Sequence, residues 1–265
     1  MKLAVLISAY HKLNLLDFIV NRLKAIGVDD IYLQLDAKCE EAVSNYVSNN
    51  TIILTPLRRA GWGAWTVMDN ILNGYLDIIR IDSNVTHIWL CSGEDLIIRK
   101  PKIECDYNYI SWIDNSISVK NSLKYTYNVQ EGEPYPTTAK KNFTKLELDD
   151  NKSGFSNYFR GQTWTILSTS TIIKMYEYWN NHLEFWKIRG LDEEIFPATY
   201  CMNFNKDNTI NSHNVYQEYN KSGCHPIQLS NKDFESIYNS DSITARKCST
   251  VKTQEAWNKF MEGKL

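Results

Sequence analysis

The sequence predicts an open α/β fold, a mostly parallel sheet flanked by helices, and three observations carry that expectation. Short apolar runs of strand length alternate with longer segments whose apolar residues recur at helical spacing. The leading run is continuous rather than alternating, as a strand covered on both faces requires. The strand–helix order then repeats along the first part of the chain, which is the pattern of right-handed crossovers in one sheet.

Leu3 to Ser8 is the first apolar run and predicts a central strand. From Leu13 to Ile26 apolar residues repeat at helical spacing (Leu15, Leu16, Ile19, Val20, Leu23 and Ile26), and Gly27 stands where a C-terminal cap belongs. Asp30 to Asp36 predicts a second strand that ends on a carboxylate, followed by a short helix and a third strand over Thr51 to Leu54. A helix from Thr66 to Ile81 leads into a strand over His87 to Cys91. Beyond residue 105 the pattern loosens, with a strand expected over Tyr107 to Ile113. Residues 120–155 are polar and read as a long loop or hairpin insertion, a natural lid. A strand over Thr163 to Leu167, a helix over Thr169 to Asn181 and another over Asp192 to Asn203 follow. The tail from about residue 210 reads as irregular, with a last helix over Thr253 to Glu262. No repeat or low-complexity linker divides the chain, so one domain is expected, with a nucleotide-binding half over about 1–115 and an acceptor and catalytic half over about 116–265.

The 265 residues are 43% hydrophobic and 23% charged, ordinary for a chain with a sizeable core. A net charge of −2 gives no case for a nucleic-acid backbone as partner. The six cysteines are dispersed without a C-x-x-C pair, which argues against a zinc ribbon or a disulfide scaffold and for thiols in a reducing cytosol. No stretch reaches membrane-span length, and the opening residues lack a signal-peptide cleavage site. A cytoplasmic protein is expected, free or resting peripherally on the inner face of the plasma membrane.

Ligands of open α/β sheets bind beyond the carboxyl ends of the strands. Three features should meet there: Tyr10-His11 after the first strand, Asp36 at the end of the second, and Ser92-Gly93-Glu94-Asp95 after the fourth. Asp36 there either accepts hydrogen bonds from a base or ribose or caps a turn. The adjacent acids Glu94 and Asp95 suit Mg²⁺ or Mn²⁺. The sixteen tyrosines and eight tryptophans serve either as core or as platforms for ring-shaped ligands.

Five segments, in order, resemble the core-2/I-branching β-1,6-N-acetylglucosaminyltransferase family. They are Trp62-Gly63-Ala64-Trp65-Thr66, Leu90-Cys91-Ser92-Gly93-Glu94-Asp95-Leu96-Ile97, Arg160-Gly161-Gln162-Thr163-Trp164-Thr165-Ile166-Leu167-Ser168, Asp192-Glu193-Glu194-Ile195-Phe196-Pro197-Ala198-Thr199 and Ile243-Thr244-Ala245-Arg246-Lys247. The resemblance implies a GT-A-type fold and a metal-independent, inverting transfer of a sugar from a UDP-sugar, UDP-GlcNAc first, to a hydroxyl of an oligosaccharide or lipid-linked glycan in surface polysaccharide assembly. It nominates Glu193 as general base, with Glu194 as the alternative, because adjacent helical residues point about 100° apart. Lys247 beside Arg246 would hold the diphosphate. Asp36, Tyr10, His11, Arg59 and Trp62 fall on the nucleotide side, with Gln34 where the family's H-x-D segment has its His; Asp95, Gln162 and Trp164 fall on the acceptor side.

The chain departs from the family where a second Arg precedes the H-P that resembles His225-Pro226; Val215 or Tyr216 is the nearest counterpart. Arg246 or Arg59 would then substitute, or Glu94 and Asp95 would hold a metal instead. Two other classes remain as alternatives. A non-catalytic glycan-binding module would need neither the D-E-E cluster nor Arg246-Lys247. A nucleotidyltransferase would want a Gly-rich phosphate loop near the N-terminus, and none is present in the sequence.

Overall fold

A computed structural model describes residues 1–39, 51–61, 63–115, 119, 123, 125–128, 140–145, 150–189, 192–219 and 226–264. The expected α/β architecture is there. The strands are β1 (Leu3–Ala9), β2 (Ile31–Leu35), β3 (Ile52–Ile53), β4 (His87–Ser92), β5 (Leu96–Ile97), β6 (Asn108–Ser111), β7 (Tyr125–Asn128), β8 (Lys140–Lys145), β9 (Ile166–Ser168), β10 (Thr209–Ser212), β11 (Val215–Tyr216) and β12 (Thr244–Ala245). The principal helices are α1 (Leu16–Ala25), α2 (Trp65–Ile81), α3 (Thr169–Asn181), α4 (Asp192–Phe204) and α5 (Val251–Glu262). Seven strands form one sheet in the order β10-β6-β9-β4-β1-β2-β3. The pairs among β4, β1, β2 and β3 are parallel, as is β10 with β6, while β9 runs antiparallel to both its neighbours.

Continuity of the apolar runs follows from burial on both faces. Ala4 and Leu6 join the core under α2, α3 and α4, whereas the intervening Val5 and Ile7 join the core under α1. Ile88 and Leu90 alternate with Trp89 and Cys91 in the same way. The capping residue of α1 is as expected: Gly27 has φ +76°, and the amides of Gly27 and Val28 donate to the carbonyls of Lys24 and Leu23 at 2.9 and 3.0 Å. Ser168 caps α3 by accepting from the Thr171 amide at 3.3 Å, which explains why that helix begins where the sequence places it.

The polar insertion contains the hairpin β7–β8, one of the two expected forms. The tail is more ordered than its sequence suggests. Strand β10 extends the main sheet, and β11-β12-β5 form a small second sheet. Trp257 of α5 is fully buried with Leu96, Ile98 and Phe234 in a third core. Strands of two residues leave no period to count, so the sequence pattern missed them. Residues 108–111 are shorter than the expected strand because Trp112 turns the chain with φ +62°. Among the described residues, no helix is long and apolar enough to cross a membrane.

Candidate functional site

A cleft of about 780 Å³ opens at the carboxyl ends of β1 and β2 and is closed by the 160–164 loop, the start of α4 and the Arg246-Lys247 segment. It draws on both halves of the chain, as a site at a strand-order reversal should. Its shape depends on close backbone approach at two glycines. A Cβ on Gly93 would lie 2.8 Å from the Ala9 Cβ, so only glycine lets the turn after β4 pack on β1. A Cβ on Gly161 would lie 2.6 Å from Ile110 Cγ2, and the Gly161 amide donates to the Glu194 carbonyl at 2.7 Å.

The β1 and β4 ends form a cationic floor around a buried acid. Glu94 is held by three side chains: Lys12 Nζ lies 2.8 Å and His11 Nε2 3.5 Å from Oε1, and Lys247 Nζ lies 2.9 Å from Oε2. Lys12 and Lys247, with hydrogen bonds and charge, outweigh desolvation and keep the Glu94 carboxyl below its ordinary range. Burial, with the two lysines adding to it, lowers the His11 pKa. Asp95 is fully buried, accepts the Ser92 amide through Oδ2 at 2.7 Å, and has Oδ1 3.8 Å from Arg246 Nε. Burial pushes its pKa up to about 6 against the pull of Arg246. Strand β12 pairs antiparallel with β5, and the Cys248 amide donates to the Glu94 carbonyl at 2.9 Å, so the C-terminal cations are fixed onto this acidic turn.

The sequence-predicted residues divide by where they stand. Tyr10, Asp36, Gln162, Trp164, Glu193, Glu194, Arg246 and Lys247 all line the cleft. Asp36 also acts as a clasp: Oδ1 accepts the Lys38 amide at 2.8 Å, and Oδ2 accepts the Ala60 amide at 3.0 Å. One face of Trp164 is covered by the Arg246 guanidinium, 4.3 Å from the ring centroid, so this indole holds a cation. Asp95, Glu94 and His11 stand behind the cleft wall, where Asp95 and Glu94 anchor the cations that line it. Arg59 is exposed and outside the lining; its neighbour Arg58 is in it, paired with Asp77 at 2.8 Å. Trp62 lies outside the described residues.

Glu94 and Asp95 do not fit a divalent cation as arranged. Both Glu94 oxygens are already taken by ammonium groups, and a metal would have to displace them. Among the described residues there is no group of three or more His, Cys, Asp or Glu side chains placed to hold a metal ion.

The two candidate bases differ sharply. Glu194 Oε2 accepts the Arg160 Nε–H at 2.8 Å in an ion pair. Glu193 Oε2 is covered and, among the described residues, has no hydrogen-bond partner. Burial, with Glu194 adding to it, raises the Glu193 pKa to about 7. Sequence reasoning missed Arg58, Arg160 and the half-exposed Trp112, which line the cleft, and Lys12, which holds Glu94 behind it. Lys12 and Arg58 are each adjacent in sequence to a nominated residue, His11 and Arg59.

No family model matches the chain, and no curated protein matches it. Among solved structures it is similar to 4-diphosphocytidyl-2C-methyl-D-erythritol synthase from Anaerococcus prevotii, with a TM-score of 0.41, 10% identity and 98% of each chain covered. It is also similar to CTP:phosphocholine cytidylyltransferase from Streptococcus pneumoniae, with a TM-score of 0.35, 8% identity, and 90% of this chain and 98% of that chain covered. At these TM-scores and identities neither likeness bears on what this chain does. No family model and no curated protein sustains the five-segment resemblance. Membership of the core-2/I-branching family, and with it inverting transfer from a UDP-sugar, is therefore corrected, and the glycan-binding module gains no support. A physical reason for the false match is at hand, since several matched positions serve packing. Gly93 and Gly161 permit close approach, Trp164 carries Arg246, and Thr199 Oγ1 bonds both the amide and the carbonyl of Phe159.

Proposed function

We propose that the protein is a nucleotide-dependent transferase. In this reading the cleft holds the phosphates of a nucleotide donor at Arg246 and Lys247, and Glu193 takes the proton from an acceptor hydroxyl. The observation that carries the reading is the Glu193 carboxyl itself: it lines the cleft, has an oxygen without a hydrogen-bond partner among the described residues, and has a pKa raised to about 7, the value a general base needs near neutrality. Support comes from the cations of the same cleft: Arg246 is fixed between Trp164 and Asp95, and Lys247 is fixed on Glu94. Such preorganised cations stabilise the charge that develops on a departing phosphate without needing to reorganise. Asp36 and Tyr10, at the ends of β2 and β1, fall on the nucleoside side of the same cleft.

The test is consumption of nucleotide-linked donors by the wild-type protein and by Glu193→Gln, each with and without EDTA. Turnover is expected to survive the chelator and to fall on the order of 100-fold or more in the variant, while nucleotide affinity changes little. An unchanged rate in Glu193→Gln would remove the base from the account. Loss of activity with EDTA would remove the claim that fixed cations suffice.

A further inference from the structure

We propose that Lys12 forms the second half of the phosphate site with Lys247, and that the pair selects a nucleoside diphosphate moiety over a monophosphate. The proposal rests on the nucleotide reading above and deepens it. Its observation is the sharing of one carboxylate by two ammonium groups from distant parts of the chain. Lys12 Nζ is 2.8 Å from Glu94 Oε1, and Lys247 Nζ is 2.9 Å from Glu94 Oε2.

A buried carboxylate needs one cation to neutralise it. Glu94 has two, besides His11, whose pKa is lowered below its ordinary value. The second ammonium therefore leaves a surplus positive charge beside the cleft, a local excess that attracts an anion. Each ammonium has three N–H donors and directs at least one to Glu94, leaving others for a ligand. The side chains are not sealed: Lys12 is 38% and Lys247 28% accessible, against 4% for Glu94. The two lysines hold opposite oxygens of one carboxylate, so both ammonium groups are tied to the same fixed point, each within 2.9 Å of Glu94.

The backbone supports the same assignment. Lys12 has φ +55°, a left-handed conformation uncommon for a residue with a side chain, at the turn that ends β1. That turn carries Tyr10, which lines the cleft, and delivers Lys12 to the carboxylate on which Lys247 rests. Arg246 is engaged by Trp164 and Asp95 and supplies the third cation.

The experiment compares calorimetric affinities for cytidine, uridine, adenosine and guanosine mono- and diphosphates in wild type, Lys12→Met and Lys12→Arg. For the best-bound base, the wild type is expected to favour the diphosphate by about tenfold, the scale of one added charge-assisted contact. Lys12→Met should bring the two affinities to within about threefold while monophosphate affinity, which also reports folding, stays within about twofold; Lys12→Arg should keep most of the preference. On the unmodified protein, inorganic pyrophosphate should displace bound diphosphate at lower concentration than inorganic phosphate does. A diphosphate preference unchanged in Lys12→Met, or phosphate competing as well as pyrophosphate, overturns the role of Lys12 and leaves the nucleotide reading standing. Failure of the wild type to bind any of these nucleotides overturns both.

Discussion

At the scale of single residues, the chemistry turns on how neighbouring groups divide their partners. Arg160 takes Glu194, while Glu193, one position earlier, has an oxygen unpartnered among the described residues and a pKa raised to about 7. The sequence showed three consecutive acids and left two of them open as the base. What separates them is an arginine distant in sequence, which no local pattern reveals. The raised value has a consequence with a definite sign. The base works as the carboxylate, so kcat/KM should rise with pH through a midpoint near 7 and level off above it. A pH–rate profile measures this directly. A midpoint near the ordinary carboxylate value, or a flat profile across neutral pH, would show that Glu193 titration does not govern the reaction. The same division of partners explains why Asp95 was misread as an acceptor ligand: it is the buried counter-ion of Arg246 and works through that guanidinium.

At the scale of elements, legibility followed the length of the pattern. Helix α3 coincides with its expected bounds because a serine cap and a clear period both lie in the sequence. Strands β1, β2 and β4 and helix α2 lie within a residue of expectation, because continuous apolar runs and amphipathic stretches mark them, while α1 starts three residues late because Leu13–Leu15 form a 3-10 turn. The two-residue strands β11 and β12 left no such mark, yet they deliver Arg246 and Lys247 to the site. Their pairing with each other and with β5 is a matter of tertiary register. The 160–162 loop and the start of α4 are coupled in the same non-local way. Gly161 donates to the Glu194 carbonyl while packing against Ile110 and Ala198. Gly161→Ala should therefore cost about 1–3 kcal/mol, typical of an overpacked site, and should lower turnover more than nucleotide affinity because the displaced element carries Glu193. Chemical denaturation with parallel kinetics checks both parts; wild-type stability would refute the close packing.

At the scale of the whole molecule, an open sheet gathers distant segments at one edge. Tyr10, Asp36, Arg58, Trp164, Glu193 and Lys247 come from separate stretches of the chain and share one cleft. Strand order made that edge foreseeable, since ligands of such sheets sit beyond the carboxyl ends of the strands. The reaction class was not foreseeable in the same way. Five ordered segments suggested a family that no family model supports, because glycines at close contacts and buried polar residues are demanded by packing as well as by catalysis. The claim at the centre of the account is spatial: the nucleotide's phosphates lie against Lys247 and Arg246, with the reacting end turned toward Glu193. A crystal structure of the complex with the tightest-binding nucleoside diphosphate tests it most directly. The account predicts phosphate oxygens within hydrogen-bond reach of Lys247 Nζ and of the Arg246 guanidinium, with Glu193 facing the open end of the diphosphate. A nucleotide bound outside this cleft, or one whose phosphates point away from Lys247 into solvent, would contradict it.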